Sequence, residues 1–242
     1  MDAHRVTRAV ILAAGRGSRL APLTDRVPKP LVPVNGTPII ATILDALNAA
    51  GISSITIVRG YCGEAFDALR KTYPHLAFID NPDWETANNI SSIALAGRAG
   101  LLADSYVIEG DLYLANPAII TPMQTRTNYI AFPVQATDDW CFDTDAAGKI
   151  THIDTASDHP CHQMLGLSYW TAADGARLAA CANALYAEKQ YRQLYWDEIM
   201  LKYHLHECDV YIRECTRADV WEIDTVEELR ELEERMRGNS AS

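Results

Sequence analysis

Apolar and polar positions alternate along the chain in two different rhythms. In the first 115 residues, short solid apolar runs are separated by stretches of helical period. The runs are Ala9–Ala14, Ile55–Val58, Leu76–Ile79 and Tyr106–Ile108, each of a length and β-branched content suited to a strand buried on both faces. Between them, Pro38 opens a helical pattern over 39–47 that Gly51 ends, a short helix is predicted over 65–71, Asn81-Pro-Asp-Trp84 reads as a turn, and 90–102 reads as a helix. Strands alternating with helices imply right-handed βαβ units and a parallel sheet, whose ligands bind beyond the carboxyl ends of the strands. Gly15, Gly60-Tyr61 and Asp111 all fall at such ends, so they are expected to face one crevice.

The second half changes rhythm. Short segments at 129–132, 140–142, 150–153 and 164–169 with turns between them predict a small antiparallel extension. Helices are predicted over 172–187 and 190–205 and strands over 210–212 and 220–223. Thr225, with Glu228 three residues on, predicts a capping box that starts a last helix running to Met236, followed by a polar tail over 237–242. The expectation is an α/β fold with a Rossmann-like, mixed but mainly parallel sheet flanked by helices. With no linker or repeat, residues 1–242 are read as a single domain with a nucleotide-binding half (about 7–115) and an acceptor-binding half (about 116–236).

Composition narrows the class. With 48% hydrophobic and 22% charged residues the chain reads as globular and soluble, and a net charge of −11 excludes a general nucleic-acid binder. No apolar run is long enough to span a bilayer and no signal-peptide core is present, so a cytoplasmic enzyme, monomer or homodimer, without membrane or nucleic-acid partners is expected. The six cysteines form no C-x-x-C pair, and most read as small buried residues. His204-Leu-His206-Glu207-Cys208 and His159-Pro-Cys161-His162 have no zinc-ligand spacing.

The chemistry is concentrated after the first strand. Gly15-Arg-Gly-Ser-Arg19 can turn sharply and aim backbone N–H groups at an anion, and four cations (Arg16, Arg19, Arg26, Lys29) face one acid, Asp25, before Pro30. The third glycine of a dinucleotide fingerprint is replaced by Leu20, and no P-loop Gly-Lys-Ser/Thr follows, so a Rossmann dehydrogenase is disfavoured.

What fits is G-x-G-[ST]-R-L-x-P-x-T-x-x-x-P-K, matched from Gly15 through Lys29, which resembles nucleotidyltransferases that join a nucleoside triphosphate to a phosphorylated small molecule. The stretches Asn81–Ser92, Ser105–Tyr113, Leu194-Tyr-Trp-Asp-Glu198, Asp209-Val-Tyr211 and Trp221-Glu-Ile-Asp224 resemble bacterial phosphocholine cytidylyltransferases, in the same order over most of the chain. The resemblance implies that Leu12, Ala13, Ala14, Gly15, Gly17, Ser18, Arg19, Gly60, Asn88, Asn89 and Asp111 bind the nucleotide CTP. Arg19 and Lys29 are then the catalytic cations. Asp111 and Asp224 would hold Mg²⁺, with Glu109 and Glu222 as weaker supporting acids.

A quaternary ammonium cannot donate N–H bonds and is held by aromatic faces and a carboxylate, which Trp140, Tyr195, Asp197 and Trp221 can supply. The leading expectation is therefore CMP transfer to phosphocholine. Transfer to 2-aminoethylphosphonate is the alternative, since Asp197 suits either cation and Trp221 stands where a phosphocholine enzyme is expected to carry Tyr. A sugar-1-phosphate nucleotidyltransferase and a nucleotide-sensing module rank lower.

Overall fold

The structure is a computed structural model and describes residues 3–239. Among these, the first four expected strands form where the apolar runs predict them: β1 (Arg8–Ala13), β2 (Ser54–Arg59), β3 (Ala77–Asp80) and β4 (Ser105–Glu109). All four are parallel in the order β4-β1-β2-β3, with Ile11 opposite both Ile57 and Ile108. The sheet's order reverses beside β1, between β4 and β2. That is the switch point at which open α/β sheets leave a crevice.

The later strands extend this sheet rather than starting another. Strand β5 (Leu112–Leu114) leaves it, whereas β6 (Asn128–Val134), β7 (Cys141–Thr144), β8 (Ile150–Asp154) and β9 (Cys161–Trp170) join it. β9 runs antiparallel to β4 and carries β6 and β7 along its length, and β10 (Tyr211–Glu214) adds in parallel to β6, giving nine strands. β11 (Val220–Glu222) pairs with β5 outside that sheet.

Three helices cover the faces: α1 (Ile39–Ala49) on one side, α2 (Ile90–Arg98) and α3 (Ala172–Ala187) on the other. Helix α4 (Val226–Asn239) closes a small third core over Leu20, Val32, Ile39 and Tyr113. Thr225 caps it as expected, accepting from the Glu228 N–H while the Glu228 carboxylate accepts from the N–H groups of Asp224 and Thr225. The helix continues past Met236 into the expected polar tail, and residues 240–242 lie outside those described.

The helix expected over 190–205 does not form as one piece. A 3₁₀ turn (Lys189–Tyr191), one α turn (Trp196–Glu198) and a π turn (Ile199–Tyr203) replace it. The reason is burial: Trp196 through Leu201 are all buried, and a regular α-helix cannot turn six consecutive residues inward on one face. Among the described residues, no helix is long and apolar enough to cross a membrane.

Candidate active site

A cavity of about 590 Å³ opens at the carboxyl ends of β1 and β4, at the switch point. Its floor is Leu12, Ala13, Ala14 and Gly15, continued by Gly17, Ser18 and Arg19. Gly17 has φ +66°, and a Cβ there would stand 2.6 Å from that of Lys29. Only glycine lets the loop turn here and lets the lysine pass beneath it. Leu20 is fully buried and the Thr24 hydroxyl donates to the Gly17 carbonyl, so the loop is pinned at both ends.

Lys29 is almost fully buried, and its Nζ lies 2.8 Å from Asp111 Oδ2 and 2.5 Å from Asp224 Oδ1. Arg19 reaches the same Asp224 oxygen at 3.0 Å. Burial by itself would lower the lysine's affinity for its proton, but the two aspartates outweigh it and hold the ammonium above its ordinary pKa. Asp224 is aimed by its position just before α4, where Glu228 fixes its backbone. Glu228 is a positioning residue that the capping box announces in sequence.

Glu222, at the end of β11, joins Asp111 and Asp224 so that one oxygen of each lies within 4.8 Å of the others. Burial first, then the neighbouring aspartates, push its carboxyl up to about 8. Asp111 Oδ1 is buried and has no hydrogen-bond partner. A converging all-oxygen set with one orphaned acceptor is the donor set of a hard divalent cation.

Glu109 does not join that cluster. Its Oε1 accepts from Asn89 Nδ2 (3.1 Å) and Trp196 Nε1 (3.2 Å), and the carboxylate packs over Gly166, where a Cβ would stand 2.3 Å from Oε2. Asp197, which is buried where Glu109 is half-buried, accepts from the Tyr129 hydroxyl at 2.9 Å. Among the described residues neither acid forms an ion pair with Lys, Arg or His. Burial raises both carboxyls, that of Asp197 to about 7 despite the Tyr129 bond, and that of Glu109 well above its ordinary range with Asp197 adding to it. Among the described residues, no Lys, Arg or His side chain lines this end of the cavity. Trp140 and Tyr195 stand on its wall as an edge-to-face pair with ring centroids 5.8 Å apart.

Two expected residues lie off the cavity. Glu222 points in, so its strand neighbour Trp221 points the other way, where Arg235 lies 5.1 Å from the ring centroid. Gly60 packs behind the wall, where a Cβ would stand 2.6 Å from that of Trp84. Asn88 and Asn89 line the cavity, but their amides are already engaged. Asn89 Oδ1 accepts from Trp196 N–H at 2.8 Å, and Asn88 Nδ2 donates to the Gln193 carbonyl at 3.3 Å. They tie the first half of the chain to the segment carrying Asp197. Sequence reasoning missed Asp139 and Trp84 on the wall, as well as Tyr129, whose hydroxyl meets Asp197.

Comparison with known proteins gives this geometry a family. The model of the MobA-like NTP transferase domain matches residues 9–195. The chain belongs to that family. It is 38% identical to the 2-aminoethylphosphonate cytidylyltransferase of Lancefieldella rimae, over 92% of this chain and 90% of that enzyme. It is 33% identical to the choline-phosphate cytidylyltransferase of Streptococcus pneumoniae, over 96% of this chain and all of the other. A solved structure of the CTP:phosphocholine cytidylyltransferase of S. pneumoniae superposes with a TM-score of 0.88, covering 96% of this chain and 100% of that one. A putative glucose-1-phosphate thymidylyltransferase from Bacillus anthracis, 17% identical with a TM-score of 0.75, shares the fold. This transferase thus has the Rossmann-like nucleotide-sugar transferase architecture, and its chemistry is nucleotidyl transfer.

Proposed function

We propose that this transferase moves CMP from CTP to a small phosphonate or phosphate that carries a cationic nitrogen, with 2-aminoethylphosphonate as the first acceptor. One observation carries the reading: a carboxylate pair, the buried Asp197 and the half-buried Glu109, stands without an ion-pair partner among the described residues in the same cavity as the Lys29–Arg19 loop. The likeness to cytidylyltransferases over nearly the whole chain supports CTP as donor. A primary ammonium has three N–H donors to place, and two carboxylates can accept them. Phosphocholine is the second reading, favoured by the Trp140–Tyr195 pair, whose faces suit a quaternary ammonium.

In the reaction, an acceptor oxygen attacks the α-phosphorus of CTP, a new P–O bond forms, and the bond to the bridging oxygen breaks as pyrophosphate leaves. The nucleophile is already an anionic oxygen, so no general base is required. Gly15, Gly17 and Ser18 offer the triphosphate a cradle, and Arg19 suits its outer phosphates because a planar fork matches phosphate geometry. Lys29 is placed to neutralise charge developing at the α-phosphate. Asp111, Asp224 and Glu222 would hold Mg²⁺, which supplies charge neutralisation on the phosphates. Asp197 and Glu109 hold the acceptor's nitrogen, which orients its phosphonate toward the loop. The two halves of the chain act here as one catalytic domain.

The test is pyrophosphate release from CTP and Mg²⁺ with 2-aminoethylphosphonate, phosphocholine or glucose 1-phosphate. Release with 2-aminoethylphosphonate at the highest kcat/KM is expected. A preference for phosphocholine would move the assignment to the second reading, and release with glucose 1-phosphate alone would overturn both.

A further inference from the structure

Between α3 and the end of the 189–208 segment, three different ligand types converge outside the catalytic cavity. Cys181 projects from α3, while His204 and Glu207 come from the end of the irregular 189–208 segment. One ligand atom from each, a sulfur, a nitrogen and an oxygen, lies within 4.8 Å of the other two. His204 Nδ1 and Glu207 Oε1 are already 2.7 Å apart, and His206 Nε2 lies 3.9 Å from the same oxygen. In sequence, the His204–Cys208 stretch shows no zinc spacing because its third partner is far upstream, on a helix that only folding brings alongside.

We propose that Cys181, His204 and Glu207 form a zinc-binding site. A thiolate with an imidazole and a carboxylate is a borderline-soft donor set that suits Zn²⁺ and discriminates against Mg²⁺, which favours the all-oxygen cluster of Asp111, Asp224 and Glu222. Zinc is tetrahedral, so three protein ligands leave a fourth position for water or for the neighbouring His206. Arg177, one turn earlier on α3, does not oppose a cation with a free charge, because its guanidinium is paired with Asp174 at 2.9 Å.

The site has a structural consequence. The segment it would staple contains the single α turn and the π turn that present Asp197, where regular helical bonding is weakest. A metal bridging α3 to Glu207 would anchor the downstream end of that segment, as Asn89 anchors Trp196.

The test uses the full-length protein stripped with a chelator and titrated with Co²⁺, then with Zn²⁺ in competition. A thiolate-to-cobalt charge-transfer band that Zn²⁺ abolishes is expected. The oxygen-only cluster in the catalytic cavity has no thiolate and cannot produce it. Cys181→Ser should lose the band, and His204→Gln should weaken Zn²⁺ binding by at least about tenfold. His204 is half-buried and belongs to none of the hydrophobic cores, so its change tests the site without disturbing them. No charge-transfer band in the unaltered protein, a band that survives Cys181→Ser, or unchanged Zn²⁺ affinity in His204→Gln would each overturn the assignment.

Discussion

Lys29 and Asp197 are both buried ionisable side chains on one cavity, yet their surroundings are opposite. Lys29 touches two carboxylates, and Arg19 shares one of them, so the phosphate end is balanced by the protein's own charges. Asp197 accepts from the Tyr129 hydroxyl and from its own backbone N–H, has no ion-pair partner among the described residues and stands beside a second acid, so its end of the cavity is left with a charge deficit. Under the proposed function, the difference matches what each end would meet. A triphosphate with its metal can replace the partners in a charge-balanced knot without leaving a charge uncompensated. A buried acid that no cation neutralises is costly to keep ionised and becomes favourable only when a cationic ligand arrives.

The most direct way to break this contrast is at the phosphate end. Lys29→Ala is expected to lower kcat by at least roughly 10²–10³-fold, the scale for losing one preorganised charge at a reacting centre. Single-turnover rates at saturating CTP would measure it, with circular dichroism to establish folding. Activity near the unaltered level would remove Lys29 from the reaction.

At the acceptor end the expected effect is smaller and falls on a different constant. Asp197→Asn should raise the acceptor KM by about 10–100-fold while leaving that for CTP nearly unchanged, the scale expected when a hydrogen-bonded charge pair is lost. Equal changes in both constants would make Asp197 a structural acid.

Titration sharpens the contrast further. The Asp197 carboxyl is raised to about 7, so below that pH it is protonated and cannot neutralise the acceptor's nitrogen. Acceptor affinity should therefore improve as pH rises through about 7, and Asp197→Asn should flatten that rise. Glu222 is raised to about 8, and a cation must displace its proton, so the apparent Mg²⁺ requirement should fall as pH rises through about 8. A Mg²⁺ dependence indifferent to pH would remove Glu222 from the metal site.

The mildest change tests how Asp224 is held. Glu228→Ala removes the capping carboxylate, with an expected loss of about 1 kcal/mol in stability. It should also raise the Mg²⁺ concentration needed for half-maximal activity several-fold, through a loosened Asp224. A thermal melt and a Mg²⁺ titration read the two effects separately, and a change in stability alone would confine Glu228 to the helix.

Much of the phosphate end was legible from residue order alone. The apolar run of β1, the two glycines, Arg19 and Lys29 are adjacent in sequence because a strand–loop unit is a local structure, and Asp111 follows its strand for the same reason. The capping box at Thr225 likewise announced where Asp224 would stand. At the acceptor end, by contrast, residues from β4, β6, α2 and the 195–197 turn meet, and no spacing records their approach. Glu109 read as a helper of the metal aspartates and turned out to face Asp197. Trp221 read as part of an aromatic cage and turned out to face α4, although strand alternation with Glu222 holds the clue. The regular helix expected over 190–205 gave way to broken turns because tertiary burial of six successive residues outweighed helical period.

By itself, then, the sequence determined the strand–helix alternation, the glycine loop after the first strand and the positions of Asp111 and Asp224 at element ends, since each follows from local propensity and short-range spacing. Only the tertiary structure decided which acids share a cavity, which are matched by a cation and which are not. That is because the protonation and pairing of a buried carboxylate depend on every element packed against it, whatever its distance along the chain.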